Sequence, residues 1–191
     1  MTRDLGLLLA RSATGAGLMA HGAQKAFGWF GGPGPAGTAG FMESLRFSPG
    51  ARYAALSASG ELAGGALVTL GLGGPLGPAT IVSVMTVAAA TVHVKNGFFA
   101  QNGGIELPAL YATAAAALAM AGPGRLSLDT ALHLEVLWDE RLAWAAILGG
   151  VAAGAMALSQ RQPAQPEPAP ASHDGAATKD APAQSHAPTT A

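Results

Sequence analysis

Residues 76–94 read LGPATIVSVMTVAAATVHV, an apolar run without a single acid or base until its penultimate His93. A run of this length is close to the ~20 residues that an α-helix needs to cross a hydrocarbon core of ~30 Å. Four more apolar stretches, at residues 5–23, 53–72, 107–121 and 142–158, have ~15–20 residues each and carry the same reading. Composition agrees. Half of the 191 residues are hydrophobic and 11% are charged, against ~25% charged in an average soluble protein. A soluble domain of this size must cover its surface with polar groups, whereas a lipid-facing one must not. The fold expected is an all-α membrane protein: a four-helix transmembrane bundle with a fifth apolar helix over 142–158.

The fourth stretch is the shortest, and its Pro108 suits the first turn of a helix. The fifth is rich in Ala and Gly and is the weakest span by hydropathy, so a surface or hairpin segment remains an alternative there. Read as a signal peptide, the first stretch would need a cleavage region near Ala23. His21, Gln24 and Lys25 do not resemble one, and the later segments require a membrane in any case. Gly73, Gly74 and Pro75 make a tight hairpin between the second and third stretches. The long first loop, 28–52, contains GWFGGPGP and TAGFMESLRFSPG. Phe41, Met42, Leu45 and Arg46 fit a short helix at the membrane surface, with Trp29 and Phe30 as interfacial anchors. From Gln160 onward Pro, Ala, Gln and Ser dominate, which predicts a disordered tail over 160–191. With the N-terminus inside, Arg3, Arg11, Arg125 and Arg141 fall on the cytoplasmic side, against Lys25, Arg46, Arg52, Lys95 and Arg161. So even a split assigns no orientation.

Helices that run up and down bring alternate ends to one membrane face. The end of the first span, the start of the second, the end of the third and the start of the fourth hold nearly all the polar chemistry: His21, Gln24, Lys25, Glu61, His93, Asn96 and Glu106. His21, Gln24 and Lys25 share a helical stripe. Glu61 lies roughly 12 Å inside its span at 1.5 Å per residue, where an unpaired carboxylate costs ~2.5 kcal/mol or more. Its expected partner is Arg11 through an intramembrane ion pair, or else His21 or His93. Lys25 and Lys95, near helix ends, read as snorkelling anchors. The absence of cysteine excludes thiolate chemistry, Cys-ligated metals and covalent haem attachment. Two histidines without a carboxylate motif do not specify a metal, and none is expected. NGFFAQNGG reads as a turn, and the glycines of GGPGP and GAGLMAHG lack the strand–helix context of a nucleotide site. His133, Glu135, Asp139 and Glu140 read as a solvated linker. There is no basic excess to suggest nucleic acid.

The stretches LLLARSATGAGLMAHGAQKAFGWFGGPG (7–34), GTAGFMESL (37–45), SGELAGGALVTLGL (59–72), TVHVKNGFFAQNGGIELPALY (91–111) and AGPGRLSLD (121–129) occur in an order that resembles the DoxX family of small bacterial membrane proteins. The resemblance covers about 5–129 and divides the chain into a DoxX-like domain (1–129), a linker with an extra helix (130–159) and a tail (160–191). It implies a four-helix fold in the bacterial cytoplasmic membrane. It also implies that the seven polar residues named above match the family's recurrent polar positions. Members are linked to quinol and thiosulfate oxidation and to oxidative-stress complexes. Nothing carries over to the fifth stretch or the tail.

The leading expectation is an accessory subunit of a quinone- or sulfur-linked redox system or an oxidative-stress system. It would bind a small amphipathic molecule, a quinone for instance, in the polar cluster at one membrane face. Stand-alone catalysis is not expected; any activity would be that of a quinone-linked oxidoreductase subunit. The partners expected are the lipid bilayer and redox or stress-response proteins. The alternatives are a small-solute transporter, with Glu61 and Arg11 lining a polar path, and a scaffold with no chemistry.

Overall fold

A computed structural model describes residues 1–163, and these contain seven α-helices and no strand. The predicted disordered tail lies outside the described residues from position 164. Five helices are long: α1 (Thr2–Phe27), α3 (Gly50–Leu70), α4 (Leu76–Ala88), α5 (Glu106–Ala121) and α7 (Glu140–Ser159). The two short ones are α2 (Gly34–Ser44), in the first loop, and α6 (Leu128–Ala131). Successive long helices alternate in direction. At one rim Lys25 near the end of α1 reaches α3, and Tyr53 near the start of α3 bonds Gln160 beyond α7. At the other, Arg3 donates to Ala121 O at the end of α5 and Asp129 meets the α3–α4 turn. We call these the near and far rims.

The helix seams are built from small residues, which let backbones approach where lipid gives no hydrophobic incentive to pack. A Cβ on Gly15 of α1 would stand 2.3 Å from Gly65 O of α3, so only glycine permits that contact. Likewise a Cβ on Gly150 of α7 would stand 2.5 Å from Ala79 O of α4, and one on Gly154 2.9 Å from Ser83 O. The fifth stretch is not the weakest span by hydropathy: α7 is more apolar than Leu76–Asn96, and its Ala and Gly residues supply its packing surface against α4. Among the described residues α7 is one of two helices long and apolar enough to cross a membrane, the other being Leu76–Asn96. Glu106–Ala121 is apolar but shorter. α4 packs against α3, α5 and α7, α1 packs mainly against α3, and α3 and α7 scarcely touch. Leu18, Val68, Ile81, Val82, Met85, Ala115 and Leu118 form the main core.

Two local departures matter. α4 does not end cleanly: Ala89–His93 is a π turn, with Val94 N–H bonded to Ala89 O, and Val94–Asn96 is a 3₁₀ turn. The wide turn re-aims His93 relative to a regular helix. In the first loop, α2 ends at Ser44, so Leu45 and Arg46 fall outside the helix expected to contain them. α2 packs onto α3 and buries Met42, and Phe47 is buried beside it, while Trp29, Phe30 and Phe41 remain exposed.

At the far rim, Asp129 is wholly buried. Its carboxylate accepts from Gly73 N (2.9 Å), Gly74 N (2.8 Å) and Trp138 Nε1 (2.8 Å). This residue ties the segment after α5 to the α3–α4 hairpin. α6 spans position 129, where the sequence reading divides domain from linker. Of the linker acids, Asp139 caps α7 by accepting from Arg141 N at 2.9 Å. The first residues of the expected tail are held as well: Gln162 N donates to Arg46 O at 2.8 Å and Arg161 Nε to Leu45 O at 2.9 Å.

Candidate functional site

Glu61 is 3% exposed, and its partner is not the one expected. Lys25 Nζ donates to Glu61 Oε1 and, at 3.2 Å, to Ser57 Oγ. Ser57 and Glu61 are one turn apart on α3, so both face the Lys25 side chain arriving from α1. Arg11 makes no pair with Glu61. It is buried near the far rim, where Nη2 donates to Leu126 O and Nη1 lies against Gly71. The reason is one of height: Arg11 occupies the first half of α1 and Lys25 its last turn, and Glu61 belongs to the level of the second. Nor do His21 or His93 bond Glu61. Of the two readings of Lys25, snorkelling anchor and member of the polar cluster, the contact with Glu61 fits the second.

His21, Lys25, Glu61 and His93 all line one cavity of about 830 Å³, joined by Ser57 and Tyr111. His21 meets the Tyr111 ring edge-on, with centroids 6.2 Å apart. His93 Nδ1 lies 2.7 Å from Gly103 O. A carbonyl can only accept, so Nδ1 carries the hydrogen and a neutral His93 keeps Nε2 as an acceptor. The rest of the wall is mostly apolar, from α3, α4, α5 and α7, including Leu56, Val84, Val87, Pro108 and Ala153.

Gln24, Asn96 and Glu106 do not line this cavity. The Cβ of Gln24 is 2.4 Å from where a Cβ on Gly32 would be, so it supports the first loop. Asn96 Nδ2 donates to Val92 O (3.1 Å) and Gly103 O (3.2 Å), and Glu106 Oε2 accepts from Ala100 N (2.8 Å). These two residues close the NGFFAQNGG loop, and their polarity serves backbone groups. Ser57 and Tyr111 are the site residues that sequence reasoning missed. Ser57, four residues before a buried acid on the same helix, carried a usable signal; Tyr111 carried none.

Chemically, the pair is net neutral and sits at one end of an apolar chamber. Lys25 has three N–H donors and uses two, and Glu61 Oε2 is buried without a partner among the described residues. Among those residues no group of three His, Asp or Glu side chains is placed to hold a metal.

No curated protein and no solved structure matches the chain. The DoxX family model matches residues 6–94, which contain α1 from its second turn, α2, α3 and α4 through its π turn. The motif reading reached further, to Asp129, and the match leaves out α5, α6 and α7. His21, Lys25, Ser57, Glu61 and His93 all fall within it. This stretch, residues 6–94, is similar to the DoxX family, and the match supports the resemblance read from the motifs.

Proposed function

We propose that the protein is a multi-pass protein of the bacterial cytoplasmic membrane and an accessory subunit of a quinone- or sulfur-linked redox or oxidative-stress system. Its cavity holds a small amphipathic molecule with a carbonyl head. The membrane part is supported by the two apolar helices and by large exposed apolar side chains on others, such as Leu9 (70%) and Leu110 (63%). α1 and α3 fall short by composition because they carry Arg11, Lys25 and Glu61. These charges turn inward, so helix averages understate how apolar the outer surfaces are.

The observation that carries the ligand reading is the Lys25–Glu61 pair, its acid buried and its base half-buried, in an otherwise mostly apolar chamber. A quinone needs an apolar slot and one or two hydrogen-bond donors at a carbonyl oxygen. The third N–H of Lys25 supplies one, and the His21 ring stands on the same wall. Glu61 Oε2 can take one of the two protons released when a bound quinol passes its two electrons to a redox partner subunit. A neutral pair favours a neutral head over an anion, which would find no net positive charge here.

The test is binding of a short-chain benzoquinone to the full chain in phosphatidylcholine nanodiscs, followed by calorimetry. Saturable binding should weaken ~10-fold or more in Lys25→Met, the equivalent of one charge-assisted hydrogen bond, and measurably in His21→Ala. No saturable binding, or binding indifferent to both changes, overturns the ligand reading. Solute flux through reconstituted vesicles would instead establish a transporter.

A further inference from the structure

The same cavity has a second polar pole, between α3 and α7 and apart from the Lys25–Glu61 pair. Arg52 lies 5.9 Å from the centroid of the Tyr53 ring, the Tyr53 and Phe47 rings meet at 4.9 Å with a 38° tilt, and Arg161 lies 5.8 Å from the Phe47 centroid. Two guanidiniums thus lie against one aromatic pair at the near rim, held by cation–π contact. Tyr53 Oη donates to Gln160 Oε1 at 2.9 Å, which leaves the Gln160 amide hydrogens free to donate. Arg161 spends only Nε, on Leu45 O. Arg46 is exposed on the same loop. Among the described residues neither Arg52 nor Arg161 has a carboxylate at ion-pair distance. The nearby Glu43 turns one oxygen to Gly50 N, at 3.2 Å.

Below this rim runs a groove. α3 and α7 both pack on α4 without closing on one another, and the open strip is lined by Leu56, Ser83, Val87, Ala153 and Met156. Leu56 and Met156 are 55% and 64% exposed. From Thr91 down to Leu76 the strip follows α4 for about 22 Å at 1.5 Å per residue, longer than the roughly 15 Å of chain region in one leaflet.

We propose that this groove and its rim form a binding site for an anionic phospholipid, with the phosphate at Arg52, Arg161 and Gln160 and one acyl chain between α3 and α7. Unopposed positive charge directly above an apolar slot matches that ligand class. A zwitterionic lipid would bring its own cation to a rim that already holds two guanidiniums, and a free anion would leave the groove uncovered. Basic pockets between spanning helices recognise acidic headgroups by this chemistry. The site rests on the membrane reading but not on the quinone reading, and it can fail or stand without it.

The test is native mass spectrometry of the full chain in detergent, titrated with phosphatidylglycerol or with phosphatidylcholine of the same acyl chains. Wild type should retain phosphatidylglycerol selectively. Selectivity should fall roughly 5-fold in Arg52→Gln and further in the double variant with Arg161→Gln. Arg52→Lys should keep most of it, and Arg125→Gln at the far rim all of it. Ala153→Phe, which fills the groove, should weaken both lipids together. Equal retention of the two lipids by wild type overturns the site, as does full selectivity in the exposed single variant Arg52→Gln. Displacement of phosphatidylglycerol by glycerol phosphate would also overturn it, because the groove would then add nothing to a bare anion site.

Discussion

Lys25 is the residue on which the interior of this bundle depends most. Removing one member of a buried ion pair is costly because the other charge stays behind. Lys25 keeps 27% of its side chain exposed, so the low end of the usual range applies. Lys25→Ala should therefore lower stability by about 3 kcal/mol, measured by thermal unfolding in detergent. The double change Lys25→Met with Glu61→Leu should recover most of that loss. An unchanged melting curve for Lys25→Ala would show that the pair holds nothing together. A second residue-scale forecast concerns Gly71, which ends α3 at φ 61° with Arg11 Nη1 1.8 Å from where its Cβ would be. Gly71→Ala should cost at least ~1–2 kcal/mol from the left-handed backbone alone, by the same assay, and should disturb Arg11. Topology made the clustering of His21, Lys25, Glu61 and His93 legible in the sequence, because alternating helices must bring those ends together. The pairing was not legible. It depends on the height and rotation of α1 against α3, which the glycine contacts at Gly15 and Gly65 set and hydropathy does not encode.

Elements show the same division. The five long helices could be read from apolar runs, and the short loop helix only in part, since Leu45 and Arg46 lie beyond its end. What escaped notice was how they are tied. Asp129 binds two glycine N–H groups and an indole, and nothing in AGPGRLSLD distinguishes it from any exposed acid. Asp129→Ala strands three donors, each costing ~1–3 kcal/mol when buried. It should destabilise the protein by at least ~3 kcal/mol and red-shift the Trp138 fluorescence as the turn at Glu135–Trp138 detaches. A contact at the same rim depends on pH. Asp4, ahead of the first apolar stretch, accepts from Arg125 N at 3.0 Å, and that hydrogen bond holds its carboxyl below the ordinary aspartate value. A depressed value means that the contact stabilises the folded state above pH ~4 and is lost as pH falls through the folded value. NMR titration of Asp4 should place its midpoint below that of an unstructured Asp, and Gly124→Ala, next to it, should bring the midpoint up.

For the molecule as a whole, an odd number of long antiparallel helices has a direct topological meaning. If α7 crosses with the other four, reporters fused before Thr2 and after Pro163 must lie on opposite sides of the membrane. A four-span bundle with α7 on the surface would put them on the same side. The glycine contacts of α7 with α4 favour the first result, and Gly154→Leu should loosen α7 without unfolding the DoxX-like domain, seen as protease access to the 122–139 segment.

The neutrality of the Lys25–Glu61 pair has one more consequence. A lone charge part-way through a bilayer feels the transmembrane voltage, at ~2.3 kcal/mol per 100 mV for a full crossing. An ammonium and a carboxylate held together feel almost none of it. Occupancy of the chamber by an uncharged guest should then be the same in polarised and depolarised vesicles, and any dependence on voltage would report a proton arriving at Glu61.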